Sequence, residues 1–325
     1  MAEIESFRRM IVLKNKIILS IFTLLYFFSG CSTGIFLADP TIYLEKGTYY
    51  LYGTSSDNGF LVYQSTDLKK WKKPDNTNSY ALAKGDSFGS KGFWAPQVFI
   101  HNNLYYMAYT VDEQIAIAKS KHPLGPFKQE TLKVLSGSGK QIDPFLFFDT
   151  DGKPYIYYVK LREGNRIYVS EMKQDLSDMI EGTARECIFG TEQWENTEKT
   201  NWPVTEGPTV LKKGKYYYMI YSANDFRSKD YAVGYAIAES PMGTWKKHNG
   251  NPIISKEKIK NNNGTGHGDL FLDKAGKYKY VIHTHFNKSE VSPRRTGLIE
   301  LKFLENDSTA ATLTADHSSF KLLSQ

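Results

Sequence analysis

The sequence predicts an all-β chain, a five-bladed β-propeller with four-stranded antiparallel blades. Three observations predict it. A strand–turn–strand pattern occurs five times, a second hairpin follows most copies, and no long helical period occurs after residue 30. The composition agrees. Aromatic residues make up 14% of the 325 residues, with 22 Tyr and 19 Phe, and such rings favour half-buried pleated surfaces. With 41% hydrophobic and 23% charged residues the chain is an ordinary globular one, long enough to bury a sizeable core.

Residues 1–30 stand apart from the repeats. Arg8, Arg9, Lys14 and Lys16 precede an apolar stretch at 17–28, and Ser29, Gly30 and Cys31 follow. A basic segment, an apolar segment and small residues before a cut describe a secretory signal, and the apolar run is short for a membrane span. A cysteine directly after Ser-Gly resembles a bacterial lipobox. We therefore expect 1–30 to be a signal peptide and 31–325 a single propeller domain. The expected location is exported, as a periplasmic or outer-membrane lipoprotein of a bacterium, touching the membrane only through a lipid on Cys31. Cys31 and Cys187 are the two cysteines, too few for a disulfide framework or a zinc site. Cys187 is expected to be a structural thiol.

The first hairpins come in order. Residues 38–54 read ADPTIYLEKGTYYLYGT, and 94–110 read WAPQVFIHNNLYYMAYT. Residues 142–159 read IDPFLFFDTDGKPYIYYV, 205–222 read TEGPTVLKKGKYYYMIYS, and 266–285 read GHGDLFLDKAGKYKYVIHTH. Each has a small or polar opening, a short apolar strand, a Gly/Asn/Asp turn and a Tyr-rich strand, which is a hairpin signal. The second hairpins are 59–73, 114–129, 165–180 and 232–247, and the last unit ends in TGLIELKF at 296–303. The anchors Asp39, Ala95, Asp143, Glu206 and roughly Asp269 recur at intervals of about 50–60 residues, the size of a propeller blade. A two-sheet sandwich does not explain a fivefold repeat. The tail, 308–325, could add or cover a strand, at no assigned place.

In a propeller the first strand of each blade lines the central channel. Five openings then converge on the axis: Asp39, Trp94/Ala95, Asp143, Glu206 and His267. Three carry a carboxylate. Carboxylates are rarely buried without a partner, and crowding them raises some of their pKa values. Asp-Pro is also a common turn opening, so Asp39-Pro40 and Asp143-Pro144 alone would be structural. Their recurrence in register with Glu206 points to chemistry. Glycoside hydrolysis needs one protonated carboxylic acid and one ionised carboxylate, and a third charge can tune the acid.

ADP at 38–40, WAP at 94–96, IDP at 142–144 and TEGP at 205–208 resemble glycoside hydrolase family 43. The resemblance spans Leu37 to about Phe303. It implies a five-bladed propeller that hydrolyses O-glycosyl bonds with inversion. It implies Asp39 as general base, Glu206 as general acid, and Asp143 as the residue that tunes and orients the acid. Substrate-binding expectations are Trp94, His267, Arg295 and Arg294, with Arg295 favoured over Arg294. Phe60, Phe145 and Trp202 are weaker aromatic candidates, while Trp71 and Trp245 recur in WKK and read as packing residues. One of His283 and His285 could face the site. No cofactor is required, although His267 could accompany a structural calcium ion on the axis. Calcium prefers oxygen ligands, so one imidazole is weak support.

The expected partner is an oligo- or polysaccharide. The formal charge of +6 without a basic block interleaved with aromatics argues against nucleic acid. The substrate expectation is a terminal pentoside in plant-type glycans, cleaved as by an α-L-arabinofuranosidase or β-xylosidase. The alternatives are an endo-arabinanase, a β-galactosidase, a retaining fructan-type hydrolase, a glycan-binding propeller without catalysis, and a protein-interaction platform.

Overall fold

Alternation along the strands decides how this chain packs. In the computed structural model, which describes residues 33–75, 80–306 and 309–325, nearly all regular structure is β. The signal segment and Cys31 lie outside the described residues. Gly34–Gln325 form one compact unit.

Five antiparallel sheets follow one another along the chain. Blade 1 holds β1 (Ala38–Glu45), β2 (Thr48–Ser56), β3 (Gly59–Ser65) and β4 (Tyr80–Ala83). Blade 2 holds β5 (Trp94–His101), β6 (Leu104–Val111) and β7 (Gln114–Ser120), with a Lys119–Lys128 bridge where a fourth strand would pair. Blade 3 holds β8 (Gln141–Phe148), β9 (Pro154–Leu161), β10 (Asn165–Glu171) and β11 (Arg185–Ile188). Blade 4 holds β12 (Thr205–Lys213), β13 (Tyr216–Ala223), β14 (Ala232–Ala238) and β15 (Lys246–Lys247). Blade 5 holds β16 (Gly266–Leu272), β17 (Tyr278–Thr284), β18 (Arg295–Leu304) and β19 (Thr312–Leu322).

The first strands touch in a closed ring, β1 to β5, β8, β12, β16 and back to β1. Five hydrophobic cores fill the five gaps between neighbouring blades. The Tyr-rich second strands explain why. On β9, Tyr157 and Val159 join the core shared with blade 4, while Ile156 and Tyr158 join the core shared with blade 2. A strand buried on both faces carries apolar residues at consecutive positions. Trp71 and Trp245 are buried in two of these cores, and the half-buried Cys187 packs against one.

The ring closes through both ends of the domain. Ile35 N–H donates to Leu323 O, Leu323 N–H to Thr296 O, and Thr296 N–H to Ile35 O. The tail is therefore structural, because β19 supplies the fourth strand of blade 5 and then runs beside residues 34–35. Closure joins the last blade to the first, while the outer strand of each blade remains a short edge.

Candidate active site

Each first strand begins with the same distortion. Asp39, Ala95, Asp143, Gly207 and His267 all have left-handed backbones, with φ of 48, 46, 55, 59 and 36°. A register shift follows each on its strand. Non-glycine residues pay roughly 1–2 kcal/mol for this conformation. What holds it is a latch across each blade seam. Ala95 N–H donates to Thr54 Oγ1 (3.0 Å), Asp143 N–H to Thr110 Oγ1 (2.8 Å), His267 N–H to Ser222 Oγ (2.7 Å) and Asp39 N–H to His283 Nδ1 (3.1 Å). The four acceptors occupy one register position on the second strands, opposite Ala38, Trp94, Glu206 and Gly266. Blade 3 breaks the rule. Its equivalent residue, paired with Ile142, is Val159, which has no acceptor. Gly207 N–H bonds Asp143 Oδ2 at 3.2 Å instead. Glycine suits Gly207, because a Cβ there would lie 2.7 Å from the His267 ring.

Three buried carboxylates surround this opening. Asp39 Oδ1 accepts from Arg294 Nη1 at 3.0 Å, and Oδ2 accepts from Thr54 Oγ1 at 2.7 Å. His267 Nδ1 and His283 Nδ1 each lie 3.4 Å from Oδ1. Burial pushes the Asp39 carboxyl up, but Arg294, His267 and His283 together outweigh it and hold it well below the usual carboxylate range. His283 is itself pushed down to about 3, by burial and then by Arg294, and is uncharged. Asp143 shifts the other way. Burial, then the charges of Glu206 and Asp39, raise it well above its ordinary value, against the Gly207 N–H bond.

Glu206 is pushed up to about 7, chiefly by burial and further by the charge of Asp39. Two donors oppose that rise: Tyr231 O–H to Oε1 at 2.8 Å and Asn165 Nδ2 to Oε2 at 2.8 Å. Around neutral pH one carboxyl of the site is therefore ionised while a neighbour retains a proton. His267 Nδ1 stands between Asp39 Oδ1 (3.4 Å) and Asp143 Oδ2 (3.8 Å).

A pocket of about 570 Å³ opens onto these groups, lined also by Trp94, Trp202, Phe226, Asn165, Asp225, Arg227 and Arg294. Arg294 stacks over the Phe226 ring at 4.6 Å, which fixes the guanidinium beside Asp39. The volume and the mix of aromatic walls with a few convergent polar groups suit a small sugar.

The sequence pattern described as Glycosyl hydrolases family 43 matches residues 33–308. The chain belongs to this family. Family 43 membership makes it a glycoside hydrolase. It is 36% identical to a solved endo-1,4-β-xylanase from Bacteroides thetaiotaomicron, with a TM-score of 0.83 over 90% of this chain and 98% of that one. A solved thermostable family-43 glycoside hydrolase is 36% identical, with a TM-score of 0.78 over 88% of this chain and 95% of that one. An extracellular endo-α-(1→5)-L-arabinanase from Bacillus subtilis is 26% identical, covering 70% of this chain and 72% of its own length. A xylosidase/arabinosidase from Butyrivibrio fibrisolvens is 29% identical over 76% of this chain but 49% of its own length.

Within this family 43 chain the structure gathers Asp39, Asp143, Glu206, His267, Trp94 and Arg294 around one pocket. Two expectations need correction. Arg295 is not the arginine that reaches in. Its Nε donates to His285 O (3.2 Å) and its Nη2 to Asn262 Oδ1 (3.1 Å), while Arg294 takes the site. The anchors Glu206 and Asp269 are also not the positional equivalents of Asp39. Gly207 and His267 are, and Glu206 sits one residue earlier, where blade 2 has Trp94. Phe60 lies in the core between blades 1 and 2. His285 binds Phe226 O at 2.8 Å and supports a pocket wall. Sequence reasoning passed over Thr54, although its repeat with Thr110 and Ser222 at the ends of the second strands marks it, and over Asn165, Tyr231 and Phe226, which no repeat position marks.

The axis below the carboxylates holds a cavity of about 30 Å³, lined by three residues of each blade, among them Thr41, Gln97, Phe145, Thr209 and Asp269. Asp269 accepts from Thr41 Oγ1 (2.6 Å), Thr209 Oγ1 (3.2 Å) and Leu270 N–H (2.7 Å), and burial raises it to about 6. Calcium takes six to eight oxygen ligands, whereas this space suits one water. Among the described residues no group of three or more His, Cys, Asp or Glu is placed to hold a metal. The donor set does not fit a calcium ion ligated by the protein.

Proposed function

We propose that this glycosidase is inverting and exo-acting, and that it removes terminal pentosides, α-L-arabinofuranosyl or β-xylosyl, from plant-type glycans. The observation that carries the proposal is the opposed protonation of two carboxyls on one pocket. Asp39 is held ionised, and Glu206 keeps a proton up to about pH 7. Inverting hydrolysis needs that pair, with a water between them.

In this reading Asp39 takes a proton from water as the water oxygen bonds the anomeric carbon. The glycosidic C–O bond breaks, and Glu206 gives its proton to the leaving oxygen. Each transfer is worth roughly 10²–10⁴-fold. Asp39 ends protonated and Glu206 ionised, and exchange with solvent resets both. Asp143, bonded to the N–H of the residue after Glu206, fixes the backbone beside the acid, and the charge of Glu206 in turn raises Asp143. Thr54 and Arg294 hold the two oxygens of Asp39, so the base cannot rotate away from the water. His267 spaces the base from Asp143.

The pentoside assignment draws on the names of relatives, which include a xylosidase/arabinosidase and an arabinanase. The pocket volume supports action on chain ends. Endo action is the second reading, favoured by the name of the 36% identical Bacteroides xylanase. We also propose export with a lipid on Cys31; two relatives carry the word extracellular in their names. No helix of the described residues is long and apolar enough to cross a membrane.

The test is hydrolysis of 4-nitrophenyl β-D-xyloside, α-L-arabinofuranoside and β-D-galactoside by residues 32–325, beside Asp39→Ala and Glu206→Ala. Proton NMR of the first-formed anomer should show inversion. Xylo- and arabino-oligosaccharides should release monosaccharide from the start. Early release of mixed oligosaccharides would establish the endo reading, and first-formed product of retained configuration would overturn the mechanism.

A further inference from the structure

Asn165 spends every polar contact of its side chain on two partners. Its Nδ2 donates to Glu206 Oε2 at 2.8 Å, and its Oδ1 accepts from Trp202 Nε1 at 2.9 Å. An indole N–H is only ever a donor. The amide is therefore fixed with its oxygen toward Trp202 and its nitrogen toward Glu206. The reversed amide would set two donors against each other at Trp202. The backbone reinforces the arrangement. Asn165 N–H donates to Pro203 O (2.9 Å) and Thr205 Oγ1 donates to Asn165 O (3.0 Å), so the segment carrying Trp202 lies along Asn165. Gly164 permits that approach, because a Cβ there would lie 2.5 Å from Pro203 O.

Trp202 is unusual for a residue with this commitment. Its side chain is tied through one amide to a buried carboxyl, yet the residue is 49% exposed and lines the pocket. A large ring held by its N–H and open on its face is built to stack against something apolar. In the reading of Glu206 as the acid, the outward side of Glu206 is where the leaving-group sugar sits.

From this juxtaposition we propose that Trp202 is the platform for the leaving-group sugar and that, through Asn165, it orients the acid Glu206. Trp202 is thus a binding residue and, toward Glu206, a positioning residue. The inference rests on Glu206 being the general acid. With Asn165 locked as donor, the lone pair of Oε2 that faces it never carries the acid's proton, so the proton is left on a lone pair that faces elsewhere. The same bond stabilises the negative charge that appears on Glu206 once the proton has left.

The experiment compares Trp202→Phe, Trp202→Ala, Asn165→Ala and Glu206→Ala on two substrates of the same pentose. One is an oligosaccharide, whose leaving sugar needs protonation. The other is the 2,4-dinitrophenyl glycoside, whose leaving group does not. Trp202→Phe keeps an aromatic face and loses the N–H. It should lose on the order of 10-fold more kcat on the oligosaccharide than on the dinitrophenyl glycoside. Its alkaline limb should move up by about one pH unit, as should that of Asn165→Ala. Trp202→Ala should in addition raise KM for the oligosaccharide more than for the aryl glycoside.

Equal losses on both substrates, or an unmoved alkaline limb in Trp202→Phe, would overturn the relay. An equal KM rise on both substrates in Trp202→Ala would overturn the platform. Glu206→Ala separates the underlying reading. If it turns over the oligosaccharide, Glu206 is not the acid. If it loses only that substrate while Trp202→Phe behaves as wild type, the acid stands and the relay alone fails.

Discussion

Tyr231→Phe removes one oxygen and little else. The phenol donates to Glu206 Oε1 at 2.8 Å, and its ring stacks on His283 at 5.6 Å and 15°. Phenylalanine keeps that stacking and leaves no orphaned polar atom of its own. A hydrogen bond to a charged group is worth roughly 1.5–3 kcal/mol, and one pKa unit corresponds to about 1.4 kcal/mol. The group is buried, so solvent does not dilute the effect. The bond favours ionised Glu206, so losing it raises the pKa from about 7 by roughly one to two units. With Glu206 as the proposed acid, activity needs it protonated and is lost as pH rises through that pKa. The alkaline limb of kcat/KM should therefore move up to about pH 8–9, with a lower plateau because the acid is weaker. The assay is a pH profile with an oligosaccharide substrate. A limb that stays near 7 or moves down would refute the reasoning that this hydroxyl, ahead of Asn165, restrains the acid.

Three further predictions follow from other parts of the site. Arg294→Met leaves Asp39 buried without its guanidinium. The acid limb should rise into the ordinary carboxylate range, and unfolding by urea should show a loss of about 3 kcal/mol. Val159→Thr gives Gly207 N–H the hydroxyl found at three of the other four seams and frees Asp143 Oδ2. Asp143 should then hold the shared proton more tightly, lowering both kcat and the alkaline limb, opposite in sign to Tyr231→Phe. EDTA treatment followed by added calcium should move neither kcat nor Tm, and a rise in Tm with calcium would show an ion that the axial donors do not explain.

The fold was legible because the inner two strands of every blade are buried on both faces and so repeat a strong pattern. Outer strands were less legible. The expected partner of β3 near Trp71 is only a bridge, Gln64 to Lys72, and the fourth strand is β4, past residue 79. Blade 3 likewise pairs Met172 with Met179 before its true fourth strand, β11. These outer strands lie at an edge, where packing imposes little on the sequence. β19 was left unplaced because TLTAD alternates polar and apolar residues but the HSSFKL after it does not.

The site was legible where chemistry and repeat coincide, at Asp39 and Asp143. Aligning by acidic residues put Glu206 one place out. Aligning on Pro40, Pro96, Pro144 and Pro208 places Gly207 beside Ala95 and Asp143, which is the register the backbone adopts. Arg294 and Arg295 could not be separated in advance, because adjacent residues at a strand start point to opposite sides and nothing local fixes the register. Asn165, Tyr231 and His283 act across 41, 25 and 244 residues of chain, so only the closed ring brings them to their carboxylates.

The seam between blades 3 and 4 differs in kind from its four counterparts. Elsewhere the joint is closed by a hydroxyl or an uncharged imidazole, which has no negative charge of its own to gain or lose. Here the joint is the carboxylate of Asp143. Its strength follows the charge on Asp143, so each redistribution of protons during turnover is also a change in how firmly two fifths of the ring are fastened together. The enzyme's frame and its chemistry share one bond. Amide exchange at Gly207 should therefore report on the state of the acid, while the matching amide of His267, held by the Ser222 hydroxyl, remains indifferent to it.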